Sequence, residues 1–160
     1  MKKKYHIIGK PLSHSLSPLL HNYWFNKYNI KAEYTCLEVE ESDFSYVIDK
    51  MKRGEINGIN VTLPYKQRII PFLSNIVNDA KETSSVNTIF LDENKNVIGE
   101  NTDVFGLQAG YLKEILNNDG ANKNALVLGA GGGSPSIILA LIKSNIKNIS
   151  LDNRTYDKSL

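Results

Sequence analysis

Short runs rich in Val, Ile, Thr and Tyr alternate along this chain with longer stretches of mixed polarity, as when strands are interleaved with helices. Strands are predicted over residues 5–9, 33–37, 58–61, 88–91 and 97–100, then 125–128 and 148–151. Helices are predicted over 18–28, 43–52, 74–83, 104–117 and 135–144. The first helix has a sharp start, with Ser17 as a cap and Pro18 at the first helical position. Five polar residues from Asp92 to Asn96 join two β-like runs and read as a hairpin turn. The expected fold is an α/β sandwich, a mostly parallel open sheet with one antiparallel hairpin. The polar stretch from Asn117 to Asn124 reads as a linker, dividing a domain at 1–117 from a second at 118–160. That second part holds one βαβ unit, too little to bury its own core, so it is expected to be incomplete with an uncovered apolar face.

Composition narrows the function classes. The chain has 160 residues, 41% hydrophobic and 22% charged, enough for one modest domain or a domain and a fragment. A net charge of +2 with scattered lysines argues against a nucleic-acid partner. The only basic run, Lys2-Lys3-Lys4, precedes an apolar stretch too short for a secretory signal, and no segment is long enough to cross a bilayer. Cys36 stands alone, which excludes an internal disulfide and a cysteine cluster for zinc. The expectation is a cytoplasmic protein without a bound metal.

One turn carries its own chemistry. The strand ending at Leu128 runs straight into Gly129-Ala130-Gly131-Gly132-Gly133-Ser134-Pro135 and then a helix. Strand, glycine turn and helix in that order form the setting of a dinucleotide fingerprint. Glycines let the backbone approach a pyrophosphate, and the helix start offers N–H groups and a favourable dipole. Ser134 suits helix capping; the alternative is a tight turn with no ligand. About 20 residues on, where the ribose is read, stand Asp152-Asn153-Arg154-Thr155. Arg154 and Thr155 suit a 2′-phosphate, whereas Asp152 suits a free ribose hydroxyl.

Four polar clusters lie just beyond predicted strand ends, where α/β folds place ligands. They are Ser13–Pro18, Asn60–Lys66, Ser85–Thr88 and Glu100–Asp103. Hydroxyls, amides, an ammonium and a carboxylate would line a site for a small polyhydroxy acid. Each cluster singly also reads as a cap or turn.

Taken together, six motifs resemble those of the shikimate dehydrogenases, in order and spacing, along nearly the whole chain. They are Ser15-x-Ser17-Pro18, Asn60-Val61-Thr62-x-Pro64-x-Lys66, Val86-Asn87-Thr88, Asn101-Thr102-Asp103, Gly129-Ala130-Gly131-Gly132 and Asn153-Arg154-Thr155. The resemblance implies reversible NADPH-dependent reduction of 3-dehydroshikimate to shikimate, a step of aromatic amino-acid biosynthesis. It implies a shikimate-binding catalytic domain followed by the first βαβ unit of an NADP-binding Rossmann domain. Carried over, Ser15 and Ser17 would hold the substrate carboxylate. Thr62, Asn87 and Asp103 would bind ring hydroxyls, with Asn60 in the same substrate set. Lys66 would be the acid/base residue, and Asp103 would work with it. Gly129, Ala130, Gly131, Gly132 and Gly133 would cradle the pyrophosphate, and Asn153, Arg154 and Thr155 would meet the 2′-phosphate of NADP. No such role attaches to His14 or His21.

The chain departs from the family pattern at Val104 and Phe105, where glycine usually follows the Asn-Thr-Asp, at Gly133, and at Asp152. Family members continue well past residue 160, so little turnover is expected from these 160 residues alone. Two alternatives stay open: a non-catalytic shikimate-binding module, and an NAD-using quinate/shikimate dehydrogenase. Oligomeric state is left open, a homodimer included.

Overall fold

A computed structural model describes residues 2–117 and 119–155. Two compact units emerge: residues 1–77 with 86–100, and residues 78–85 with 101–160. The first holds six strands, β1 Lys3–Gly9, β2 Ala32–Glu38, β3 Gly58–Val61, β4 Asn75–Ile76, β5 Thr88–Leu91 and β6 Val97–Glu100. They form one sheet in the order β2-β1-β3-β5-β6-β4. The pairs β1–β2, β1–β3 and β4–β6 are parallel; β3–β5 and the hairpin β5–β6 are antiparallel. The mixed sheet is therefore mostly parallel, as expected.

Asp92 closes the hairpin, its carboxylate accepting from the backbone N–H groups of Asn94 at 2.9 Å and Asn96 at 2.8 Å. An Asp in that position substitutes for the missing backbone partner of a tight turn. Helix α1 (Ser17–Lys27) packs against β2. Helix α2 (Phe44–Lys52) buries Phe44, Val47, Ile48 and Met51, an i, i+3, i+4, i+7 stripe. On the sheet's other side Ile7, Tyr34 and Leu12 form a core with Tyr5 and Phe25.

The second unit contains α3 (Asp79–Thr83), then a helical run of α4 (Asp103–Leu107), a π turn (Gln108–Leu112) and α5 (Lys113–Leu116). Strand β7 (Asn124–Leu128), helix α6 (Ser134–Lys143) and strand β8 (Asn148–Asp152) follow, β7 and β8 pairing in parallel. Its core joins Val104, Leu112 and Leu116 to Val127, Ala140, Leu141 and Ile146. The other face of β7 is open: Leu126 and Leu128 are exposed and border a groove of about 530 Å³.

Three expectations need correction. Residues 74–83 are not one helix. Ser74 N–H donates to Val97 O and Val77 N–H to Gly99 O, so β4 pairs with β6. Asn78, at φ +50, then turns the chain into α3. Ser17 is not a cap but the first helical residue, with Leu16 at the cap position. Ser134 likewise opens α6 and sends its hydroxyl back to Gly129 O at 2.6 Å instead of capping. By contacts α3, α4 and α5 group with α6.

Candidate active site

Sheet topology gathers the first unit's polar clusters at one end. β1 and β3 run parallel, and β5 starts opposite the C-terminal end of β3 through the Asn60–Thr88 pair. The serine turn after β1, the turn after β3 and the entry to β5 therefore share an edge. Gly9, at the end of β1, admits the second of these. A Cβ there would stand 2.4 Å from Thr62 Cγ2 and 2.9 Å from Leu63 O. The close approach is held by Thr62 N–H donating to Ile8 O at 2.9 Å and Lys10 N–H to Leu63 O at 3.1 Å. Lys66 lies one turn beyond, half-buried, its carbonyl accepting Val86 N–H at 2.8 Å.

Ser15 and Ser17 are half-buried, and Ser17 N–H reaches Ser15 Oγ at 3.4 Å. Tyr34 of β2 reaches across the sheet to Asn60. Its hydroxyl donates to Asn60 Oδ1 at 2.7 Å, and burial pushes its pKa well above that of a free phenol. Asn60 passes the chain on, its amide donating to Asn87 O at 3.1 Å and Thr88 Oγ1 at 3.2 Å. Asn60 thus spends both ends of its carboxamide inside the sheet. Asn87 is held on its other side by N–H donation to Glu100 O at 3.0 Å.

Sequence reading missed Tyr34 and its supports. A tyrosine in a strand signals packing, and its polar use depends on neighbours remote in sequence. Asn22 clamps the Tyr34 backbone on both groups, at 2.8 and 3.0 Å. His21 stacks on the Tyr34 ring with centroids 4.1 Å apart. Among the described residues no cluster of three His, Cys, Asp or Glu stands ready for a metal, and no helix is long and apolar enough to cross a membrane.

The second unit carries the remaining candidates. Asp103 opens α4, half-buried, with its N–H on Asn101 Oδ1 at 3.0 Å. The glycine turn joins β7 to α6. Gly129 has φ +102, a conformation that only glycine adopts freely, and donates its N–H to Asp152 O at 2.7 Å. At Gly129, Gly131 and Gly133 a Cβ would meet open space, so the cradle is unobstructed and leads to a ten-residue helix start. This fits a pyrophosphate. Asn153 is committed to the protein: it accepts Ala130 N–H at 3.1 Å and donates to Thr155 O at 2.6 Å. Arg154, Thr155 and the carboxylate of Asp152 are exposed beside it.

Comparison with known proteins gives the family. Residues 7–89 match the shikimate dehydrogenase substrate binding domain. The chain is 45% identical over 160 residues to the shikimate dehydrogenase (NADP(+)) of Pelagibacter ubique, covering all of this chain and 59% of that one. The crystal structure of shikimate dehydrogenase from Aquifex aeolicus superposes with a TM-score of 0.88 at 36% identity, over 98% of this chain and 57% of that one. A shikimate 5-dehydrogenase from Thermus thermophilus, solved with NADP(H) and shikimate, gives 0.82 at 28%, over 98% and 58%. The chain thus spans somewhat over half the length of the relatives it matches. With more than half its residues on that substrate-binding profile, it belongs to the shikimate dehydrogenase family.

Proposed function

We propose that this chain supplies the substrate grip and the cofactor phosphate turn of an enzyme that reversibly reduces 3-dehydroshikimate to shikimate with NADPH. The observation that carries the reading is the hydrogen-bonded series Tyr34–Asn60–Asn87, which links two of the motifs at one sheet end. The glycine turn and the similarity to NADP-dependent relatives support the cofactor.

In this reading Ser15 and Ser17 hold the carboxylate through hydroxyl donors, and Thr62, Asn87 and Asp103 take ring hydroxyls. Lys66 is the proton carrier: when a carbonyl is reduced, charge builds on its oxygen, which an ammonium stabilises and then protonates. Gly129–Gly133 hold pyrophosphate, with Arg154 and Thr155 toward a 2′-phosphate. The bound nucleotide supplies the hydride, so the protein's part is binding, orientation and proton delivery. Asn60, with both carboxamide ends engaged, acts by placing Asn87.

Calorimetric titration tests the reading: shikimate is expected to give saturable heat, and an Asn87→Ala variant to lose it. A chain that takes up no shikimate would sink it. Lys66→Ala is expected to keep shikimate binding while abolishing shikimate-dependent NADPH formation in a chimera carrying the remaining length of the Pelagibacter ubique relative. Binding by the chain without turnover in that chimera would favour a non-catalytic module. Asp152, exposed at the end of β8, favours one second reading, use of NAD. Parallel titrations with NADP+ and NAD+ separate the two.

A further inference from the structure

The second unit's buried polar side chains fall in one place. Thr83, Ser85, Asn101, Ser134 and Ser136 are all less than 9% exposed, and they converge beneath the glycine turn. Asn101, 3% exposed, sits at the centre. Its amide nitrogen faces Ser136 Oγ at 2.8 Å, Ser85 O at 2.9 Å and Thr83 Oγ1 at 3.1 Å, and its Oδ1 accepts the N–H of Asp103 at 3.0 Å. The orientation is forced, because the Ser85 carbonyl can only accept and the Asp103 amide can only donate. Ser136 lies in the first turn of α6, and Ser85 Oγ reaches Gly132 O at 3.4 Å. One carboxamide therefore holds the start of α4 on one side and the first turn of α6 with Ser85 on the other, and Ser85 in turn reaches the glycine turn.

We infer that Asn101 is a positioning residue that sets Asp103 and the glycine turn together. Shikimate grip and nucleotide grip in this unit then depend on one buried joint. The inference rests on the functional reading above for what Asp103 and the turn hold, but the joint itself concerns the protein alone. Helix capping by itself would need only the Oδ1 contact to Asp103 N–H. The three contacts on the other atom, reaching two further segments of chain, are what a local cap does not require. Burial makes the joint stiff, since a lost partner leaves an unpaired group with no water to replace it.

The test uses the 160-residue chain and two variants. Asn101→Asp keeps the Oδ1 acceptor but turns an oxygen on the Ser85 carbonyl. Ser136→Ala removes one distant partner and serves if the first variant fails to fold. Leu116→Ala, a core change in α5 away from the joint, controls for lost stability. In ligand-free amide spectra, Ser136→Ala is expected to move the Asp103 resonance and Asn101→Asp the Gly132 resonance, with neither moved by Leu116→Ala. No cross-perturbation would overturn the joint. In NADP+ titrations below the melting range, Asn101→Asp is expected to weaken binding about tenfold, Ser136→Ala less, and Leu116→Ala not at all. A purely structural role predicts equal affinity in whatever fraction stays folded, and that result would overturn the inference. If the unaltered chain takes up no NADP+ while the cross-perturbation is present, the cofactor reading fails and the joint stands.

Discussion

A buried phenol is stable only when its hydroxyl is paired, and Tyr34, 3% exposed, has Asn60 for the purpose. Tyr34→Phe keeps the ring and its stack on His21 but leaves Asn60 Oδ1 without its donor. An unsatisfied buried acceptor costs about 1–3 kcal/mol, so the unfolding free energy should fall by that amount and the urea midpoint with it. Shikimate affinity should fall with it, because Asn60, which holds Asn87, loses its own anchor. An unchanged midpoint would show that the hydroxyl is not the tie described. His6 adds a pH dependence in the same unit. Burial first, then Lys4 and Lys50, holds its pKa below 6.5, and its Nδ1 lies 2.8 Å from Thr35 Oγ1. The folded state therefore binds fewer protons than the unfolded chain between the lowered value and 6.5. Stability present above 6.5 is lost as pH falls through the folded value. Unfolding followed between about pH 7 and about pH 5 should show this slope, and His6→Gln should flatten it.

At the level of elements, what was legible in the sequence is what local chemistry decides. The strands at Gly58–Val61, Thr88–Leu91 and Val97–Glu100 and the Asp92 turn stand as read, because β-branched runs and an Asp-led turn act on their own neighbours. Residues 74–83 misled because the partner that draws Asn75–Ile76 into a strand is β6, some twenty residues away. The π turn at Gln108–Leu112 was not readable either. It interrupts a run that periodicity reads as one helix, near Gly106 and Gly110, both weak helix formers. The site was legible as motifs and not as a network: composition marks Asn60 and Asn87, but only the sheet brings Tyr34 onto Asn60. Gly9 shows the same limit. Nothing local demands glycine at a strand end, yet the turn at Thr62–Leu63 lies across it. Gly9→Ala must displace that turn, and overpacking of this kind costs about 1–3 kcal/mol. The melting temperature should drop and shikimate heat should vanish with it; a variant as stable as the parent would mean that the contact relaxes freely.

For the whole chain, the grouping into contact units follows burial. The polar stretch at 117–124 holds a short turn at Gly120–Asn122, but the apolar faces before and after it close on one core. Val104, Leu112 and Leu116 come before the stretch, and Val127, Ala140, Leu141 and Ile146 after it. Lys143 of α6 also pairs with Asp79 and Glu82 of α3, at 2.5 and 3.2 Å, although α3 precedes β5 and β6 in the chain. Exposed ion pairs add little, so the apolar core decides the grouping. A fragment of residues 1–117 tests it. Such a fragment keeps every strand of the six-stranded sheet but removes Val127, Ala140, Leu141 and Ile146 from the core of Val104, Leu112 and Leu116. Withdrawing about three large apolar side chains from their core exceeds what a short helix interrupted by a π turn contributes by itself. Amide hydrogen exchange should therefore show β1, β3, β5 and β6 protected in the fragment as in the whole chain, while residues 103–116 exchange at the rate of an open peptide. Equal protection of 103–116 in both would place that helix with the sheet and favour the boundary that the polar stretch suggests.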